Sequence, residues 1–361
     1  MSSFKDSVET HRRMVILAEG KFSPLESKTA NQAIRYLPDQ VVAVIDSRQA
    51  GRSAQDVLGF GGTIPVVSDV RTSLVKKPNT LLIGIAPAGG RLPESWRSIL
   101  YEAIENRLTI ISGLHTLLSD DEEFIQRARF NNVELIDLRK VPTEYEIVAK
   151  GSWKTRKAKT ILTVGTDCNV GKMTASLELH REFIKRGLNS DFVATGQTGI
   201  LLSGKGVAVD SVASDYVAGA VELEVDKRVE EGKEFIHIEG QGSLTHQGYS
   251  SVTLGLMHGV IPDAMIMVHH PIRHVDDYDC SIDNVKHLIE LHEAILASFK
   301  VSKVVGIAMN TVMMTAQQVD VAKKQLEEQT GLPVANVLTD EVCQLAYALL
   351  KHFETAEYIT V

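Results

Sequence analysis

The chain has 361 residues, 44% of them hydrophobic and 23% charged, and carries a formal net charge of −8 at pH 7. That length predicts two domains rather than one core, and the acidic balance argues against a general nucleic-acid partner. The composition is that of a soluble globular protein, and no apolar run reaches membrane-spanning length, so no membrane partner is expected. Cys168, Cys280 and Cys343 stand far apart with neither metal nor disulfide spacing, which fits a reducing cytoplasm. The polar stretch Met1 to Arg13 lacks the apolar centre of a signal peptide.

In chain order, Met14 to Ala18 predicts a first strand, a helix follows near Thr29 to Arg35, and Val41 to Ile45 is a second strand closed by Asp46. An acid at that place touches a ribose in dinucleotide folds. The first turn, Glu19 to Pro24, is not Gly-x-Gly-x-x-Gly, however, so Asp46 is expected to cap a turn beside Arg48 and Gly51. A short strand follows Gly61-Gly62, Thr80 to Ala86 is a buried strand, and Pro87 to Gly90 makes a turn. A helix at Glu94 to Asn106, a strand at Leu108 to Ser112, a helix near Asp121 to Phe130 and a strand at Val133 to Leu138 complete the alternation. The pattern predicts a Rossmann-like parallel sheet. His115, just past a strand end, has two readings: a functional group, or a hydrogen-bonded packing residue.

Residues 141–158 are polar and basic and mark the boundary, giving domains 1–145 and 146–361. Lys154, Arg156, Lys157 and Lys159 read as a solvated linker face near the next motif. That motif is Ile161 to Ser176: an apolar strand, a loop from Gly165 to Gly171, Lys172, and a helix from about Met173 to Lys185. Strand, glycine loop, lysine and helix form a P-loop. Its N–H groups, the helix N-terminus and Lys172 converge on one anion. The expected cradle is Gly165, Thr166, Asp167, Asn169, Val170, Gly171, Lys172, Met173 and Thr174. Two features depart from the common form. Five residues rather than four separate the glycines. Met173 occupies the place of the hydroxyl that usually holds Mg²⁺, and Thr174 follows one place later. The loop keeps the phosphate donors and drops a metal ligand.

Asp191 to Ala194 is the next strand, ending in the loop Thr195-Gly196-Gln197-Thr198-Gly199. Asp210 and Asp215 flank the start of an Ala/Val/Gly helix, and Asp215 also suits a helix entry, where an acid meets the dipole. Phe235 to Ile238 is a strand ending in Glu239-Gly240-Gln241-Gly242-Ser243, followed by His246 and a helix at Ser251 to Val260. Ala264 to Val268 leads into His269-His270-Pro271-Ile272-Arg273-His274. The three histidines lack helical i, i+4 spacing and a nearby cysteine, so no metal is expected. Arg273 is a candidate carboxylate or phosphate clamp. Asp276, Asp277 and Asp279 read as an acidic loop. Val304 to Met309 ends in Asn310, a candidate base reader, and helices near Ala316 to Gln329 and Thr339 to Thr355 surround a strand at Val334 to Val337.

The loop Gly165 to Thr174, with Glu239-Gly240-Gln241-Gly242 after a later strand, resembles the dethiobiotin synthetase and MinD-like branch of P-loop proteins. The likeness implies that Glu239 sits near the bound phosphate or reacting centre, and that Asp210 or Asp215 serves the site. The stretch around Ala86 to Gly90 is similar to the CoA-binding domain of succinyl-CoA synthetase. Across both domains, Ala86-Pro87-Ala88-Gly89-Gly90, Gly113-Leu114-His115, the P-loop, Gly196-Gln197-Thr198-Gly199 and Glu239 to Ser243 resemble a P-loop family of unknown function that includes DgcN-type D-amino-acid N-acetyltransferases. This resemblance implies acetyl transfer from acetyl-CoA, as co-substrate, to the amino group of D-glutamate or a related D-amino acid.

On that footing the P-loop is expected to hold the CoA phosphates without Mg²⁺. Glu239 or His246 is the expected base, with Asp215 a further catalytic candidate. Backbone N–H groups near Gly240 to Ser243 are candidate oxyanion donors. Gln197, Thr198, Gln241 and Arg273 are assigned to the substrate. Two rivals remain. An ATP- and Mg²⁺-dependent ligase or kinase of the dethiobiotin synthetase type is disfavoured by Met173 and favoured by Glu239. A non-catalytic nucleotide-binding module would bind without turnover. A homo-oligomer accords with base rates.

Overall fold

The computed structural model describes residues 12–85 and 87–359. The N-terminal residues 1–11 and Ala86, of the Ala86 to Gly90 motif, lie outside the described residues. The chain folds as two units. One comprises Met1–Lys140 with Ile200–Ser211; the other comprises Val141–Gly199 with Val212–Val361.

The first unit holds a six-stranded parallel sheet in the order β3-β2-β1-β4-β5-β6. Its strands are β1 Met14–Leu17, β2 Val41–Ile45, β3 Val66–Val67, β4 Thr80–Ile83, β5 Thr109–Ser112 and β6 Leu135–Asp137. β1 and β4 are buried along their whole length, because helices cover both faces of such a sheet. The order is that of a Rossmann sheet, and its switch point falls between β1 and β4.

The details there are self-contained. The Asp46 carboxylate receives the N–H groups of Phe22 and Arg48, each at 2.9 Å, and so pins the turn after β1. In the helix Lys28–Tyr36, the Ala30 N–H donates to the Gly84 carbonyl at 2.9 Å, so the end of β4 occupies a donor of the first helical turn. Gly90, at φ 62°, lies against the His115 ring; a Cβ there would sit 2.3 Å from Cδ2. The His115 N–H donates to the Gly90 carbonyl at 2.8 Å. Arg139 donates to the Gly113 carbonyl at 2.7 Å and is ion-paired with Asp210.

The second unit holds another six-stranded parallel sheet, order β12-β11-β10-β7-β9-β8. These strands are β7 Lys159–Gly165, β8 Ser190–Val193, β9 Phe235–Ile238, β10 Ala264–His269, β11 Lys303–Met309 and β12 Val334–Ala335. β7 is central, between β10 and β9. Ile161, Leu179, Phe183, Ile266, Val268, Leu345, Leu349 and Phe353 form one buried cluster that joins the strands to the helices Lys172–Lys185 and Val342–Ile359. Each large side chain of this kind contributes about 1.5–3 kcal/mol on burial. Among the described residues, no helix is long and apolar enough to cross a membrane.

Three sequence expectations change. Gln197, Thr198 and Gly199 are not loop; they open the helix Gln197–Ser203. A helix not anticipated from the sequence runs over Val285–Leu296. Finally, the basic linker is solvated only in part: Lys154 and Lys157 are exposed, whereas Arg156 is fixed. Arg156 has a side chain only 3% exposed, and it donates to the Val260 carbonyl at 2.8 Å. Gly219, in the helix Val217–Glu230, lets the chain cross closely, since a Cβ there would meet the Ile147 carbonyl oxygen at 1.9 Å. From the same helix, buried Glu222 receives the N–H groups of Lys150 and Ser152. Glu222→Ala strands both donors and is expected to cost about 2–4 kcal/mol of stability. Faster proteolysis of residues 147–156 in native buffer checks this; unchanged protection would contradict it.

Candidate functional site

Continuous apolar burial along β7 delivers Gly165 to the carboxyl end of the sheet, where doubly wound folds bind ligands. Thr163, a polar residue within the apolar stretch Ile161 to Val164, ties the site together. Its hydroxyl lies 3.1 Å from the Lys172 carbonyl and 3.3 Å from the Ile238 carbonyl, and it receives the Gly240 N–H at 3.0 Å. β7, β9 and the start of the helix Lys172–Lys185 therefore meet at one hydroxyl.

The loop turns through Asn169 at φ 56° and Gly171 at φ 111°; the second suits a residue without Cβ. Asn169 is exposed and Val170 is core. Lys172 is buried, and its chain passes Gly165 and Gly240. A Cβ on Gly165 would stand 2.9 Å from Nζ, and one on Gly240 would stand 3.0 Å from Cδ. Nζ donates to the Asp167 carbonyl at 2.7 Å. The Thr166 N–H donates to the Val268 carbonyl at 3.0 Å, and the Ser243 hydroxyl donates to the Thr166 carbonyl at 3.2 Å. Met173 is buried at 3% exposure, so its side chain packs inward, while Thr174 is half-buried. Asn310 uses its amide on the Val170 carbonyl at 3.0 Å and its oxygen on the Val312 N–H at 3.1 Å. It braces the loop.

Glu239 is buried, and its carboxylate is held by N–H donors. One oxygen receives Thr195 N–H at 3.0 Å and Gly196 N–H at 3.2 Å; the other receives the Gln241 amide at 3.1 Å. Gly199 is required here, because a Cβ would fall 2.3 Å from a Glu239 oxygen. Thr198 is buried and Gln197 half-buried in the helix that follows. Arg273, half-buried, donates through Nε to the Asp167 carboxylate and through Nη2 to Asp277 at 2.7 Å. Asp215 is exposed, in the short turn Ser214–Tyr216, while Asp210 is engaged with Arg139 in the first unit.

The histidines sort differently from their spacing. His269 is half-buried, with Nδ1 3.0 Å from the Thr166 hydroxyl; desolvation foremost, then His270 and His274, lowers its pKa to about 4. His246, in the loop after β9, comes to the P-loop instead. One atom each from Asp167, Cys168 and His246 lie within 4.8 Å of one another, and all three residues are buried. Burial foremost pushes the Cys168 thiol up to about 11. Cys168 and Thr163 are site residues that the sequence reading misses. Cys168's position inside the loop, and Thr163's polarity within an apolar run, are the available signals. The cradle thus presents Lys172, loop N–H groups and the half-buried Arg273, which suits a bound anion.

Residues 147–346 match the family model described as a domain of unknown function, DUF1611_C, P-loop domain. Residues 47–141 match the DUF1611_N Rossmann-like domain. A protein named D-glutamate N-acetyltransferase from Tritonibacter scottomollicae is 39% identical over 320 residues, 86% of this chain and 90% of that one. Another of the same name, from Pseudoalteromonas sp, is 39% identical over 270 residues, 73% of this chain and 79% of that one. A crystal structure of a DUF1611 family protein from Anabaena variabilis superposes with a TM-score of 0.89 at 36% identity, covering 94% of this chain and 99% of that chain. The chain belongs to the DUF1611 family.

Proposed function

We propose that this DUF1611 family member is an N-acetyltransferase that moves the acetyl group of acetyl-CoA to the amino group of D-glutamate or a related D-amino acid. The observation that carries this reading is the 39% identity to two proteins of that name, spread over most of each chain. The site supports it. Lys172 and the loop N–H groups form a phosphate cradle, and the next residue, Met173, is a buried apolar side chain rather than a metal-binding hydroxyl. CoA brings phosphates that need no Mg²⁺ for binding. In the reaction, the neutral amine attacks the thioester carbonyl, a C–N bond forms and the C–S bond breaks. The thiolate leaves with the proton that the amine gives up.

With CoA phosphates in the loop, the long pantetheine arm carries the thioester away from it. Glu239 and His246 shape the cradle, and Arg273 adds positive charge to it. Glu239 holds the Thr195–Gly196 backbone through its N–H donors, and Arg273 holds Asp167. Titration calorimetry in EDTA tests the assignment. CoA is expected to bind at least about 10-fold more tightly than ATP with Mg²⁺ measured separately. The reverse order would replace this reading with a nucleotide-dependent ligase or kinase.

A further inference from the structure

His246 is a buried group at the cradle whose chemistry is fixed by its neighbours. It is 1% exposed. Its Nδ1 receives the Gly248 N–H at 3.2 Å, so the lone pair of that nitrogen is in use and the ring proton of the neutral imidazole belongs on Nε2. Nε2 is buried and has no hydrogen-bond partner among the described residues. A buried N–H left without an acceptor is destabilising and is normally satisfied by something.

The ring is held in place. Tyr249 packs against it at 4.9 Å and Tyr278 at 5.3 Å between centroids. The His246 N–H donates to the Ser243 carbonyl at 3.2 Å, and the His246 carbonyl receives the N–H groups of Tyr249 and Ser250 at 3.1 and 3.0 Å.

Two other roles conflict with this geometry. A base would need a free lone pair, and the one lone pair of this tautomer faces Gly248. A metal bound by Asp167, Cys168 and His246 through Nε2 would force the proton onto Nδ1, donor against the Gly248 donor. Lys172, bonded to the Asp167 carbonyl, and Arg273, on the Asp167 carboxylate, would add two cations beside it. An Nε2–H near the Lys172 ammonium, and near an Arg273 guanidinium that already offsets the Asp167 carboxylate, suits an anionic oxygen in the loop.

We propose that His246 is a neutral hydrogen-bond donor, through Nε2–H, to the anion seated in the P-loop. The inference rests on the phosphate-cradle reading above and adds a binding residue to it.

The test compares wild type, His246→Ala and His246→Gln. Glutamine is chosen because its amide N–H reaches the place of Nε2 without being a base. Binding of inorganic pyrophosphate and of CoA is measured by calorimetry, kcat and KM with acetyl-CoA and D-glutamate are measured alongside, and thermal melts confirm folding. His246→Ala is expected to weaken pyrophosphate and CoA about 10- to 100-fold, and His246→Gln to recover most of that loss. Equal loss of kcat in both variants with unchanged anion affinity would make His246 a base and overturn the inference. Stoichiometric binding of Zn²⁺ alone by wild type, abolished by His246→Ala and by Cys168→Ser, would overturn it in favour of a metal site. Wild type binding pyrophosphate but not CoA would defeat the acetyltransferase reading while leaving the His246 comparison readable on pyrophosphate. Wild type binding neither would overturn both.

Discussion

Lys172→Ala is expected to raise the acetyl-CoA KM about 10- to 100-fold, with a much smaller change in the KM for the amino acid. The ammonium is buried at 6% exposure, and its carbon chain is confined between Gly165 and Gly240. It donates to the Asp167 carbonyl at 2.7 Å, which places a full positive charge on the inner wall of the loop. With Mg²⁺ not expected here, the phosphate charge is met by Lys172 and Arg273, so a large share of the loss falls on this side chain. Lys172→Arg is expected to restore little. Its planar head is wider than an ammonium, and the passage between the two glycines admits an unbranched chain. Steady-state kinetics in EDTA check the result. An unchanged acetyl-CoA KM would remove the P-loop from CoA binding.

Gly240→Ala is expected to destabilise the protein by about 3 kcal/mol or more, a lowering of Tm by roughly 4–7 °C. A Cβ at this position would lie 1.7 Å from the Thr163 carbonyl oxygen and 2.8 Å from its carbonyl carbon. These are backbone atoms of the central strand β7, so nothing flexible is available to move aside. Gly240 has no left-handed φ to explain its need for glycine; the requirement is the close approach of two chain segments. The same displacement breaks the Gly240 N–H bond to Thr163 and pushes on Lys172 Cδ. Anion affinity should therefore fall with stability. A thermal melt within about 2–3 °C of wild type would show that the strands do not approach this closely.

Much of the fold is legible in the sequence because both sheets are parallel and covered on both faces. Such strands are continuous apolar runs, and Val41–Ile45 and Ala264 to Val268 stand out as such between polar turns. The helix Val285–Leu296 is harder to see. Its buried positions Val285, Leu288, Ile289, His292 and Leu296 have helical spacing, but the acidic stretch from Asp276 to Asp283 just before it reads as loop. The segment Gln197 to Gly199 misleads for a different reason. Gly199 suggests a turn, yet it is glycine because a Glu239 oxygen occupies the space of its Cβ.

Within the candidate site, the cradle residues follow from spacing, and Glu239 from the resemblance to P-loop proteins. Their partners do not, since these come from strands and loops distant in sequence. Thr163 meets Gly240, His246 meets Cys168, and Asn310 turns back to Val170 only after the sheet has formed. Arg156 shows the same limit for charge. Its basic neighbourhood suggests solvent, whereas the Val260 carbonyl, the Ser152 hydroxyl and Asp226 explain its burial.

The most direct test of the central claim is to mix the purified protein with acetyl-CoA and D-glutamate in EDTA. Free thiol is followed by absorbance and the product is identified by mass spectrometry. The account predicts stoichiometric release of CoA and formation of N-acetyl-D-glutamate, with the rate falling when acetyl-CoA is replaced by acetyl-pantetheine, which lacks the phosphates that the loop holds. The absence of acetylated product, together with Mg²⁺-dependent turnover of ATP by the same preparation, would contradict it.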